Sequence, residues 1–271
     1  INEERLALAV DASAGGLWDW DVRTGRLWLN EGWHRMIGRD PDSVAPEIEA
    51  WRELVHPDDR ETTLARLQDH VEGRSAVYEA EYRVAHADGR WVWTLDRGRV
   101  VARDESGAPL RVIGVRTDIT PRKTAESEAE HRARHDGLTD LPNRLHFKER
   151  FALELARMRK EGGQVALFCL DLDRFKTVND TLGHPVGDDL LRQAAARMRR
   201  LITPADMLAR LGGDEFALIQ TGRPQPEAAR ALAERIVESV SQPFFIAGYE
   251  INVGVSVGVA VAPDDGVDGE I

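Results

Sequence analysis

All seven tryptophans of this 271-residue chain lie between Trp18 and Trp93, and none follows. So abrupt a change of composition indicates two domains with separate cores. The length allows this division, because each half is long enough to bury a core of its own. The contents of hydrophobic and charged residues, 42% and 31%, are those of a globular protein.

The net charge of −11 argues against non-specific binding to nucleic acid or acidic lipid, but it leaves room for a small molecule that carries phosphate. No stretch approaches the roughly 18 apolar residues of a membrane span, and no signal peptide precedes the first predicted helix. We therefore expect a cytoplasmic protein. Because the chain begins with Ile1 rather than Met, we expect a fragment whose parent could carry an upstream membrane segment.

The single cysteine, Cys169, lies in the apolar run VALFCLDL, which predicts a buried and inert thiol. One cysteine cannot form an internal disulfide, and this fits the cytosol.

The first domain, residues 1–119, is predicted to contain an antiparallel sheet with flanking helices. The signals, in chain order, are helical periodicity over 3–13, period-two alternation that places Trp18, Trp20 and Val22 on one face of a hairpin, a helix start at 56–60, and turns at Asp88-Gly89 and near Gly107 that separate three strands.

Residues 120–136 are predicted to form a helix that links the domains. Thr120 is a good N-cap, and Pro121 suits the first helical position. The remainder is polar, with a sparse stripe of Ala125, Ala129 and Ala133. Such a stripe is equally typical of a solvated linker helix and of a weak coiled coil.

The second domain, residues 137–271, alternates helices and strands, which predicts an α/β or α+β layer fold. The predicted elements are helices at 143–160, 187–201 and 226–241, a buried strand at 164–171, two strands within 206–220 and a strand pair within 244–263. The chain as a whole is therefore assigned to the α+β class.

Two acidic motifs stand at predicted strand ends in this second domain. Asp171 closes one strand, and Asp214 and Glu215 follow a Gly-Gly turn. Taken alone, the first motif is more typical of a polar strand end than of a site, and the second could equally be an ordinary acidic hairpin tip. Taken together, Asp171 and Asp214 could share one crevice, where carboxylates from separate strands can hold Mg²⁺ ions at a phosphorus centre.

Four motifs, in order and spacing, resemble the GGDEF diguanylate cyclase family across residues 135–271. They are DGLTDLPNR (136–144), DLDRFKTVNDTLGH (171–184), GDDLL (187–191) and RLGGDEF (210–216). The resemblance implies an α/β, palm-like domain similar to nucleotidyl cyclases, with GTP as substrate and cyclic di-GMP as product.

The resemblance also implies roles for matching positions. Asp171, Asp214 and the Leu172 carbonyl would bind Mg²⁺ or Mn²⁺. Asp214 would also accept the proton of the attacking 3′-hydroxyl, and Glu215 would support the metal site. The implied substrate contacts are Asn179 and Asp188 at the guanine edge, His184 along the site, and Phe175 and Lys176 at the β- and γ-phosphates.

Two departures from the family pattern concern inhibition and the C-terminal end. The usual Arg-x-x-Asp inhibitory site for the product is here TPAD, so Asp206 is present but Thr203 replaces the arginine. Threonine cannot form a bidentate fork with phosphate, and we expect a degenerate inhibitory site. The family also continues into a last helix with a lysine and an arginine for the phosphates, whereas this chain ends at Ile271 and is expected to lack that end.

The N-terminal half resembles a PAS domain with its C-terminal PAC strands, across residues 1–120, with DIT (118–120) as the usual exit into a signalling helix. This half has no cysteine for a flavin adduct. Its four histidines are expected at the surface or at helix caps rather than on a haem; they are His34, His56, His70 and His86. Its tryptophans are expected in the core. The ligand of this domain stays unknown.

These features predict a sensory diguanylate cyclase that acts as a homodimer formed through the PAS domain and the linker helix. One alternative is a GTP-binding regulatory GGDEF module of a larger protein with a downstream EAL phosphodiesterase domain. A second alternative is a pure interaction module that binds no nucleotide.

Overall fold

The chain divides into two units, residues 1–127 and 128–271, in the computed structural model, which describes residues 15–266. The predicted helix at 3–13 lies outside the described residues. Among the helices that the structure describes, none is both long and apolar enough to cross a membrane. The mixture of antiparallel sheets and helices confirms the predicted α+β class.

Five antiparallel strands form the sheet of the first unit. They are β1 (Gly16–Asp21), β2 (Leu27–Leu29), β3 (Tyr78–Ala85), β4 (Trp91–Arg103) and β5 (Pro109–Asp118). Their order across the sheet is β2-β1-β5-β4-β3, so the first strand lies beside the last. The predicted hairpin and the three later strands therefore belong to one antiparallel sheet.

Three helices and a 3-10 turn occupy the segment between β2 and β3. They are α1 (Glu31–Ile37), the turn Pro41–Ser43, α2 (Ile48–Leu54) and α3 (Pro57–Val71). The start of α3 is confirmed, because Pro57 takes the first helical position and the His56 side chain accepts a hydrogen bond from the Asp58 backbone N–H at 3.2 Å.

Tryptophans contribute much of the core of the first unit, as predicted. Trp18, Trp33 and Trp51 are buried. The prediction is wrong for Trp28 and Trp91, which are 56% and 40% exposed. Trp28 lies on the short edge strand β2 and Trp91 is the first residue of β4, so neither position is covered on both sides.

A charged pair lies within this aromatic core. Asp96 on β4 and Arg116 on β5 are 1% and 3% exposed, and they form a salt bridge of 2.5 Å. The indole N–H of Trp18 and the hydroxyl of Tyr82 donate to the two oxygens of Asp96, at 2.5 and 2.6 Å. Asp96 is thus both paired and hydrogen-bonded, which is what a buried charge requires.

The prediction of surface or capping histidines holds for His56 but is wrong for two others. His34 and His70 are both buried. His70 has a structural role, because its ring bonds to the Ser75 carbonyl through Nδ1 at 2.8 Å and accepts from the Val100 backbone N–H through Nε2 at 3.0 Å.

The predicted linker helix spans Thr120–Arg134 as α4, and none of its residues is buried. Near its start, Arg122 and Lys123 form salt bridges with Glu81 of the first unit. Near its end, His131 contacts Asp140 of the second unit at 2.6 Å.

A four-stranded antiparallel sheet forms the second unit together with four helices. The strands of this sheet are β6 (Val165–Leu172), β7 (Met207–Gly212), β8 (Glu215–Thr221) and β11 (Val255–Ala262). A separate hairpin between β8 and β11 contains β9 (Phe244–Ile246) and β10 (Tyr249–Ile251). The helices are α5 (Arg144–Glu161), α6 (Phe175–Leu182), α7 (His184–Arg199) and α8 (Glu227–Val240). The order β11-β6-β8-β7 makes β6 and β8 the central strands.

Two apolar clusters cover the faces of this sheet. Phe168 and Leu170 of β6 pack in the cluster that includes residues of α7 and α8, whereas Val165 packs with residues of α5. The predicted buried strand is therefore confirmed in place. The predicted strand pair within 244–263 needs correction, because β9 and β10 form a separate two-stranded sheet and β11 joins β6.

Cys169 is exposed, so the prediction of a buried thiol is wrong. Side chains alternate between the faces of a strand, and Cys169 shares its face with Asp171, which is also exposed, rather than with the buried Phe168 and Leu170. An apolar run of sequence does not reveal that one face of its C-terminal half is open.

Candidate active site

The ends of β6 and β8 bring four predicted site residues together: Asp171, Leu172, Asp214 and Glu215. Asp171 lies directly opposite Glu215 in the register of these strands. The backbone N–H of Leu172 donates to the carbonyl of Asp214 at 3.3 Å. Residues that are more than forty positions apart in sequence therefore meet at one edge of the sheet, as the two acidic motifs predict.

Negative charge accumulates at this edge. The pKa of Asp171 is raised, first by partial desolvation of its carboxylate at the strand end and then by the charges of Asp214, Glu215 and Asp173. Among residues 15–266, neither Asp171 nor Asp214 forms a salt bridge, and Glu215 has only Arg144, at 3.4 Å. Carboxylates arranged in this way repel one another, so a bound cation would be strongly favoured there.

The turn between β7 and β8 is held by Arg210, which the sequence analysis did not single out. Its Nε and Nη2 donate to the carbonyl of Gly213 at 3.0 and 2.7 Å, and its Nη1 donates to both oxygens of Asp136 at 2.9 and 3.0 Å. Burial alone would raise the pKa of Asp136, but hydrogen bonds from Thr139 and Arg210 lower it. Arg210 thus connects two of the four motifs, and its position inside RLGGDEF was the available signal.

The backbone of this turn favours glycine at both of its positions. Gly212 has a φ of 143° and Gly213 a φ of 56°, and residues with a Cβ enter this half of conformational space only at a cost. No heavy atom lies within 4 Å of a Cβ built at either position, so conformation rather than space determines the preference. The open surroundings leave the turn accessible to a ligand.

Asn179 on α6 packs against Gly187 on α7. A Cβ at position 187 would lie 1.9 Å from the side-chain oxygen of Asn179. That oxygen is buried and has no hydrogen-bond partner in the described part of the chain. Asp188 follows Gly187 and is half-buried. Because Asn179 packs against Gly187, the two predicted guanine contacts lie near each other where α6 meets α7.

The remaining predicted substrate residues lie on the same two helices. Phe175 and Lys176 are the first two residues of α6, and His184 is the first residue of α7. Lys176 and His184 are exposed, whereas the ring of Phe175 belongs to the apolar core. A phosphate contact at Phe175 would therefore come from its backbone N–H, as at other helix N-termini.

Thr203 and Asp206, the predicted degenerate inhibitory site, lie before β7 and contact each other. The backbone N–H and the hydroxyl of Thr203 donate to Oδ2 of Asp206 at 2.9 and 2.8 Å. This pair stands at the opposite end of β7 from the Gly-Gly turn, and six residues of strand span roughly 20 Å.

Two further observations delimit the site. A cavity of about 590 Å³ in the second unit is lined by residues such as Glu154, Gly163 and Thr221 and by none of the predicted site residues. Within residues 15–266, no three His, Cys, Asp or Glu side chains converge closely enough to hold a metal ion. A metal at the acidic edge could therefore not be held by acidic, histidine or cysteine side chains alone, and it would need further ligands of another kind.

Comparison with known proteins bears on both units. The family model described as "Diguanylate cyclase, GGDEF domain" matches residues 133–271, and a PAS fold model matches residues 26–116. The chain is 41% identical over 202 residues to a signalling protein of Caulobacter vibrioides, covering 74% of this chain and 23% of that protein. It is 37% identical over 135 residues to the diguanylate cyclase TpbB of Pseudomonas aeruginosa, covering 49% of this chain and 31% of that protein.

Among solved structures, the coiled coil and GGDEF domain of DgcB from Caulobacter crescentus, in complex with c-di-GMP, is similar with a TM-score of 0.51. The identity is 28%, over 55% of this chain and 80% of that chain. The chain spans less than a third of the length of the curated relatives, 23% and 31% in the two cases above. Because the GGDEF model matches more than half of its residues, the chain belongs to the diguanylate cyclase GGDEF domain family, with a PAS domain ahead of the GGDEF domain.

Proposed function

We propose that this protein is a sensory diguanylate cyclase, which converts two GTP molecules into cyclic di-GMP and two pyrophosphates under the control of its PAS domain. The observation that carries the proposal is the acidic edge, where Asp171, Asp214 and Glu215 meet beside an open glycine turn. Family membership and the relative TpbB, which is named a diguanylate cyclase, support the same activity.

The residues at the acidic edge fit Mg²⁺ or Mn²⁺. Mg²⁺ prefers oxygen ligands and is typically bound through one or two carboxylates plus substrate phosphates and water. A set of Asp171, Asp214 and the Leu172 carbonyl agrees with this preference, and it needs no third acidic or histidine side chain. When bound, the ion would neutralise negative charge on the phosphates and orient them.

The protein's own groups would position GTP and move one proton. The side-chain oxygen of Asn179 is an acceptor for a guanine N–H, and the carboxylate of Asp188 is a second. Lys176 at the start of α6 would face phosphate. The carboxylate of Asp214 would accept the proton of the attacking 3′-hydroxyl, while Arg210 keeps the turn that carries it in place.

The reaction requires two such sites. Each GGDEF domain would bind one GTP, and each 3′-hydroxyl must attack the α-phosphate of the other nucleotide. We therefore propose a homodimer with approximate two-fold symmetry, formed through the PAS domain and α4. The alternative of a regulatory GGDEF module predicts GTP binding without turnover, and the alternative of an interaction module predicts neither.

The test is turnover of GTP by the purified protein with Mg²⁺, followed by detection of cyclic di-GMP. Asp214→Ala removes a metal ligand and the proton acceptor together, so product formation should fall by on the order of 1,000-fold. Asp189→Ala is the matched control, because Asp189 is an exposed aspartate of α7 whose one salt bridge within residues 15–266 is to Arg192. Turnover by Asp214→Ala equal to that of the control would show that the site is misassigned.

A further inference from the structure

Asp173 makes a set of contacts that no assigned role explains. It is the first residue after β6, and it reaches across to the start of β11. Its backbone N–H donates to the Gly254 carbonyl at 3.0 Å, and its Oδ1 accepts a hydrogen bond from the Ser256 hydroxyl at 2.7 Å. Backbone and side chain of Asp173 are therefore both attached to the neighbouring strand.

The absence of a side chain at Gly254 leaves room for the carboxylate of Asp173. A Cβ at position 254 would lie 2.4 Å from Oδ2 of Asp173, closer than real Cβ atoms approach any heavy atom. The backbone of Gly254 is not in the left-handed region, so the conflict is with Asp173 alone. Any larger residue would displace the carboxylate from Ser256.

The residue that follows Asp173 is strained. Arg174 precedes α6 and has a φ of 61°, which is unfavourable for a residue with a Cβ. Such conformations persist only where the surrounding structure determines them. The contacts of Asp173 are the restraints immediately before this position, and α6 begins immediately after it.

We propose that Asp173, Ser256 and Gly254 form a brace that positions the turn from β6 to α6 for catalysis. The turn lies between Leu172, whose carbonyl is a proposed metal ligand, and the N-terminus of α6, where phosphate contacts are proposed. The three are positioning residues and are not expected to touch substrate. The inference rests on the proposed cyclase activity, which it deepens by identifying what holds the metal-binding and phosphate-binding segments in register.

Ser256 offers the sharpest test, because it is exposed and its removal leaves the charge of Asp173 in place. Ser256→Ala should lower kcat about tenfold and raise the Mg²⁺ concentration for half-maximal rate, with KM for GTP changed less than about twofold, since small misplacements affect the reacting groups first. Ser256→Thr keeps the hydroxyl and suits a strand, so it should restore kcat.

A double-mutant cycle separates the brace from independent effects. Asp173→Ala also removes a charge near Asp171, so its loss should be at least as large as that of Ser256→Ala. The double variant should be no worse than Asp173→Ala, because the contact with Ser256 is already absent there. Wild-type kinetics in Ser256→Ala, failure of Ser256→Thr to restore kcat, or additive losses in the double variant would each overturn the proposal.

Hydrogen exchange gives a readout that does not depend on turnover. The amide of Asp173 should exchange faster in Ser256→Ala than in the wild type, and Ser256→Thr should restore protection. Unchanged exchange in Ser256→Ala would contradict the brace even if the enzyme is active. A wild-type protein that makes no cyclic di-GMP would refute the proposed function instead, and the exchange experiment would still decide whether the brace exists.

Discussion

In the first unit, Asp96 and Arg116 lie inside the core and satisfy each other, whereas in the second unit Asp171 is exposed and faces other carboxylates. The core clusters of the second unit consist of apolar residues, and Asp171, Asp214 and Glu215 stand together at one edge of its sheet. A buried charge is costly when it has no partner, so each member of the buried pair needs the other for the first unit to remain folded. Within residues 15–266, Asp171 and Asp214 have no salt bridge that would add to the stability of the fold, which is why they identify the site.

The largest expected effect is obtained by breaking the buried pair. Asp96→Ala leaves the Arg116 guanidinium buried without its anion and should reduce the free energy of unfolding of the first unit by about 3–5 kcal/mol. Because all seven tryptophans lie in this unit, urea denaturation followed by tryptophan fluorescence reports its unfolding separately.

An exposed pair in the same sheet provides the control. Glu79 and Arg97 form a salt bridge of 2.8 Å between β3 and β4, and both side chains are more than half exposed. Glu79→Ala should therefore reduce the free energy of unfolding by less than about 1 kcal/mol. Equal losses in the two variants would remove the contrast between buried and exposed charge.

A smaller effect is expected from His34, a buried titratable group with no salt bridge among the described residues. Burial lowers the pKa of His34, and the nearby charge of Asp40 only partly offsets this. The unfolded chain, with the ordinary pKa near 6.5, then binds a proton more readily than the folded one. The first unit should lose stability as the pH falls through about 6.5, because folding must keep His34 neutral.

The measurement is the urea midpoint of tryptophan fluorescence on both sides of this pH. His34→Phe keeps a ring beside Trp33, and it should flatten the dependence in this range. The acids of the unit whose pKa is lowered, such as Asp59, lose their contribution only at lower pH and do not interfere. An identical pH dependence in His34→Phe would refute the assignment.

The smallest effect is expected where Thr203 already occupies one oxygen of Asp206. Added cyclic di-GMP should barely inhibit the wild-type enzyme through this surface, because threonine lacks the charge and the fork that phosphate requires. Thr203→Arg should lower the half-inhibitory concentration by on the order of tenfold. Strong inhibition of the wild type that disappears in Asp206→Ala would show that the site is functional after all.

The sequence predicted most of the strands and helices, because alternation, turn residues and caps are local signals, but it did not predict the short helix α6. It also predicted that Asp171 and Asp214 share an edge, since each stands at the end of a strand. It did not predict the exposure of Cys169 or the burial of His34, because both depend on which face of a strand or helix other elements cover. Nor did it indicate the contacts of Arg210 and Asp173, which join segments that are distant along the chain.

The polar helix α4 shows how a segment without buried residues can still be helical. Starting a helix is costly because several residues must be fixed before the first hydrogen bond forms, and a 15-residue helix is marginal on its own. In this protein each end of α4 is held by a hydrogen bond to the unit to which that end belongs. The Thr120 hydroxyl accepts from the Trp93 backbone N–H at 2.9 Å, and the Asn143 side chain donates to the Ala133 carbonyl at 2.8 Å. Because both ends are attached to folded units, less of the cost of ordering the helix falls on its central turns, and those turns have less need of an apolar stripe.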